Sequence, residues 1–86
     1  MNFRLLVDFE VVEYIASLRP RDRRMLRQRL LQIQEFPGNF ADYTETDAHG
    51  RTVHISVCRQ YAIKFWADWA DRHIKVLDLH LADRGR

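Results

Sequence analysis

Residues able to do acid–base and anion chemistry recur in the second half of the chain at a spacing of two. His54, Lys64, Trp66, Asp78 and His80 each alternate with aliphatic or aromatic neighbours, alongside Thr52, Ser56 and Cys58. In an extended strand that spacing places residues on one face. Two imidazoles, an ammonium, a carboxylate and an indole on one surface suit cleavage of an RNA phosphodiester. One group takes the 2′-hydroxyl proton, a second protonates the leaving oxygen, and a cation offsets charge on the phosphorane. Histidine titrates near neutrality, and a positioned acid or base is worth about 10²–10⁴ in rate. On this reading His80 and His54 are the acid/base candidates. Lys64 holds phosphate, and Trp66 stacks a base at about 1–3 kcal/mol. A plainer reading competes, because an open sheet face is normally polar and two histidines on it are unremarkable.

Other chemistries find less support. There is no Ser/His/Asp order, Gly-rich phosphate loop or CxxC pair. Cys58 near His54 suggests a thiolate or a metal ligand, but a cysteine inside a strand is ordinarily structural. One cysteine and scattered histidines give no closed zinc spacing, so no metal and no cofactor are expected.

The elements that must position these residues follow from periodicity. Asn2–Val7 is a short apolar run read as a strand. Asp8 is a candidate N-cap, and Val11, Tyr14, Ile15 and Leu18 then form a helical stripe that ends at Pro20. A second helix starts near Arg21, with Leu26, Leu30 and Ile33 on one face, and stops at Pro37–Asn39. Residues 40–50 are polar and turn-like. The period then changes to two. Val53, Ile55 and Val57, then Tyr61, Ile63 and Phe65, then Leu77, Leu79 and Leu81 are expected to face the helices. Short links at Arg59–Gln60 and Asp68–Arg72 imply hairpins. The expectation is one domain over residues 1–86, an α+β fold of order β-α-α-β-β-β. A helical hairpin packs on one face of a small antiparallel meander.

Composition bounds the setting. The 86 residues carry a net charge of +2, with 47% hydrophobic residues, enough for a modest core. A single cysteine excludes an internal disulfide and fits a reducing compartment. The start lacks a signal-peptide pattern, and no apolar run approaches the roughly 20 residues that span a membrane. A soluble, cytoplasmic protein is expected. Charge is uneven: Arg19–Arg29 holds six arginines against one aspartate, whereas Glu35–Asp47 holds four acids and no base. Such a basic helix is either a solvated face or a surface for a polyanion or acidic partner, with Arg23, Arg24 and Arg27 as the contacts.

With these elements in order, the sequence resembles the RelE/ParE superfamily of type II toxin–antitoxin toxins. The resemblance rests on "VVEYIASLRPRDRRMLRQRLLQIQEFP", "GRTVHISV", "YAIKFWAD" and "IKVLDLHLADR", which together cover nearly the whole chain. It implies either a metal-independent, ribosome-dependent mRNA endoribonuclease or a ParE-like inhibitor of DNA gyrase without chemistry. A degenerate toxin that only binds its antitoxin is a further alternative. Both active kinds imply a cognate antitoxin as partner, with the ribosome and mRNA, or gyrase, as target. Carried over by position, His80 falls at a family histidine, Arg51 at the arginine of "GR", and His54 near a basic position. Arg59 and Arg84 join Arg51 and Trp66 as RNA or phosphate contacts. The middle strand reads "YAI" where the family typically reads "YRI", so Ala62 replaces an arginine that Lys64 or Arg59 must compensate.

Overall fold

The computed structural model describes residues 3–82. Their order is β1 (Arg4–Val7), α1 (Phe9–Ala16), α2 (Pro20–Glu35), a 3₁₀ turn (Pro37–Phe40), β2 (Tyr43–Thr46), β3 (Thr52–Cys58), β4 (Tyr61–Asp68) and β5 (His73–Leu81). The expected α+β class holds, with one strand more than the sequence suggested. The sheet has the order β1-β5-β4-β3-β2. Strands β2 to β5 form an antiparallel meander, and β1 joins the edge of β5 in parallel, pairing Arg4 with His73 and Val7 with Val76.

The helices behave as their stripes require. Val11 and Ile15 of α1 are buried, as are Leu26, Leu30 and Ile33 of α2. Pro20 occupies the first turn of α2, where its missing N–H costs nothing. The helices cover one face of the sheet and enclose Tyr61, Ile63, Phe65, Ala67, Ile74, Val76 and Leu79.

Two phase errors in the sequence reading decide which residues share the other face. In β3, Ile55 pairs with Lys64 whereas Ser56 pairs with Ile63 and Cys58 with Tyr61. Ser56 and Cys58 therefore point to the helices, and Val53, Ile55 and Val57 point away, the reverse of the expectation. Ser56 is tolerated in the interior because the Arg29 guanidinium of α2 donates to its hydroxyl at 2.9 Å and to the Val57 carbonyl at 3.1 Å. In β5 the register with β4 shifts between Lys64 and Phe65: Lys64 pairs with Asp78 and Phe65 with Val76, leaving Leu77 unopposed. This bulge puts Ile74 and Val76 on the helix face before it and Leu79 and Leu81 there after it. Leu77, expected in the core, is only half-buried.

Candidate functional site

The uncovered face has an apolar floor and a polar rim. Val53, Ile55 and Ala62 form the floor at 0%, 1% and 1% exposure. Register sets the rim in rows across the strands. One row runs Tyr43, Ile55, Lys64, Asp78, and the next runs Val57, Ala62, His80.

His80 and Asp78 lie two apart on this face of β5, and His80 Nδ1 is 3.0 Å from Asp78 Oδ2. With the proton on Nδ1 the ring donates to the carboxylate, leaving the Nε2 lone pair free. Both side chains are solvent-accessible. Asp78 therefore orients the ring in a site a substrate can reach. Lys64, opposite Asp78, places Nζ 3.4 Å from Glu45 Oε1 of β2, so its ammonium sits between two carboxylate-bearing strands. Ala62, opposite His80, offers no polar group there.

Arg51 enters from the β2–β3 turn. Its Nε donates to Asp47 Oδ2 at 2.8 Å, and the Asp47 carboxylate also accepts from the backbone N–H groups of Arg51 and His49. These bonds, the one from the Arg51 backbone foremost, hold Asp47 below its ordinary value of 3.8. Gly50, with φ 81°, closes this turn in a conformation that a side chain would strain. Arg51 and Lys75 both lie over the Trp66 ring, each 4.9 Å from its centroid. The indole is thus occupied by cations, and a base would stack on it only by displacing one of them.

The structure separates the other expected contributors. His54 is not on this face. It pairs with Phe65 and packs against that ring at 5.4 Å on the helix side, and its Nδ1 is buried without a hydrogen-bond partner among the described residues. The two-residue period that grouped it with His80 runs in opposite phase in β3 and β5. Arg59 lies in the β3–β4 turn beside the start of α2, at the sheet's end rather than on its face. Arg23 and Arg27 border a groove between the helices and Val7 of β1. With the exposed Arg24 they occupy the helix layer, away from His80. Arg84 lies outside the described residues.

Three contributors to the site escaped the sequence reading. Glu45 and Tyr43 come from β2, whose residues are all exposed and carry no apolar alternation. Lys75, which the sequence reading did not assign, joins them because the bulge turns Ile74 and Val76 to the helices and leaves Lys75 over the Trp66 ring. The buried Asp22 of α2 accepts from the Tyr61 hydroxyl at 2.8 Å. Burial first, and this hydrogen bond second, push the phenol up to about 12.

Among the described residues, no helix is long and apolar enough to cross a membrane. No family model and no curated protein matches the chain. Solved structures do, among them the following two. The RelE–RelB complex of the archaeon Pyrococcus horikoshii OT3 has a chain that superposes with a TM-score of 0.81 at 20% identity, covering 98% of this chain and 99% of that one. The free state of an E. coli RelE toxin mutant superposes at 0.73 with 15% identity, covering 99% and 88%. At these identities the likeness is one of fold, over nearly the whole length of each chain.

Proposed function

We propose that this chain, built on the RelE fold, is the toxin of a toxin–antitoxin pair and cleaves mRNA on the ribosome in the cytoplasm. The observation that carries the chemistry is the 3.0 Å His80–Asp78 contact on the uncovered face. Asp78 fixes the ring, and Nε2 of His80 takes or returns the proton of the reacting oxygen. Lys64, one row along, offsets the charge that builds on the phosphorane. The fold neighbours support the toxin reading. The archaeal one was solved with RelB, which supports a small antitoxin as partner here. A gyrase binder without chemistry has no use for an oriented histidine–carboxylate pair.

His80→Ala should lower mRNA cleavage by about 10²–10⁴ while leaving antitoxin binding intact. A His80→Ala protein that cuts as fast as the parent sinks this mechanism. Ala62 favours a second reading, a chain that keeps the fold and its antitoxin but cuts slowly, because the position opposite His80 carries no cation. Ala62→Arg separates the two: a rise in cleavage supports the slow toxin, and no rise supports an already complete site.

A further inference from the structure

The β3–β4 turn and the start of α2 enclose a polar cleft of about 230 Å³, lined by Arg19, Arg21, Asp22, Met25, Arg59 and Gln60. Three arginines meet one aspartate there. That aspartate is already engaged, accepting from the Tyr61 hydroxyl at 2.8 Å and lying 3.7 Å from Arg19 Nε. Among the described residues, neither Arg21 nor Arg59 has a carboxylate within ion-pair distance. Arg59 also holds φ at 56°, in the left-handed region where a glycine or asparagine would be at ease.

The cleft's position gives it a role. The Gln60 carbonyl accepts from the Ala82 N–H at 2.7 Å, and Ala62, two residues further along β4, is opposite His80. The cleft therefore opens at the end of the sheet that carries His80, about 7 Å along the strand from it. A phosphate backbone that left the uncovered face past His80 and rounded the hairpin would meet these guanidiniums.

We propose that this cleft holds the phosphodiester backbone of RNA, by fork-like contacts from Arg21 and Arg59 with Arg19 beside them, as an anchor separate from the reacting centre. The proposal rests on the ribonuclease reading for its partner. Binding is nevertheless measured without turnover, so the two fail separately. Arg59→Gly removes the side chain while relaxing the backbone, so the variant folds; Arg21→Ala is the second variant. Each is titrated across a salt series against a 2′-O-methyl oligoribonucleotide, which cannot be cut, and against vacant ribosomes. The double variant should bind several-fold more weakly, and its salt slope should fall by about 1 for each arginine removed. Weaker binding to the oligonucleotide assigns the phosphate to mRNA, and weaker binding to the ribosome alone assigns it to ribosomal RNA. Unchanged affinity and slope in both arms overturns the proposal, as does binding of polyglutamate at these residues in place of RNA. If His80→Ala cuts normally while Arg59→Gly weakens binding, the catalytic reading fails and the anchor stands.

Discussion

His54→Phe is expected to make the protein more stable and leave any cleavage unchanged. The imidazole packs on Phe65 at a ring separation of 5.4 Å and a tilt of 35°, with Nδ1 buried and unpaired among the described residues. A buried polar atom without a partner costs about 1–3 kcal/mol. The low end applies, because the ring as a whole is only half-buried. Phenylalanine keeps the ring contact and removes the orphaned nitrogen, giving a gain of about 1 kcal/mol. In a domain of this size that raises Tm by roughly 4–8 °C. Urea unfolding followed by tryptophan fluorescence gives the midpoint, and mRNA cleavage is read on the same preparations. Should His54→Phe lose cleavage as severely as His80→Ala, His54 belongs with the reacting groups and the inverted phase of β3 is wrong. Should stability fall, Nδ1 has a partner that the packing argument misses.

Two further expectations concern the Tyr61–Asp22 pair. Tyr61→Phe leaves the buried Asp22 with Arg19 at 3.7 Å as its one polar side-chain neighbour among the described residues, and urea unfolding should show a loss of about 1–3 kcal/mol. Because the folded phenol sits at about 12, above its ordinary 10.0, its contribution is complete below pH 10 and is lost as pH rises through 12. The urea midpoint should drop across that window, and Tyr61→Phe should flatten the drop.

Much of the architecture was legible because helices advertise themselves. Val11, Ile15, Leu26, Leu30 and Ile33 lie where their spacing placed them, but α1 ends at Ala16, before Leu18, and Pro20 opens α2 rather than closing α1. The two-residue link at Arg59–Gln60 forms the hairpin it implied. The strands were harder to place for physical reasons. Strand β3 is buried on both faces, so hydrophobicity cannot say which side meets the helices. Ser56 looked solvent-facing only because its partner, Arg29, is 27 residues away in sequence. Strand β2 is an exposed strand at the sheet's edge, held by the β3 ladder rather than by any apolar pattern of its own. The grouping of His80, Asp78 and Lys64 was recovered correctly because these residues follow the bulge or sit on the central strand. Lys75, before the bulge, was not.

The parallel pairing of β1 with β5 has a consequence in time. Arg4 must find His73, so β1 stays without its ladder until β5 has been made. At about 5–20 residues per second that wait lasts roughly 4–14 s on the ribosome. During it the apolar Leu5, Leu6 and Val7 have neither the sheet edge nor a finished core to join. Closing so long a loop late also slows folding relative to a chain whose strands pair in order. In the nascent protein β1 is therefore exposed until β5 is made, and β5 is what ends that exposure.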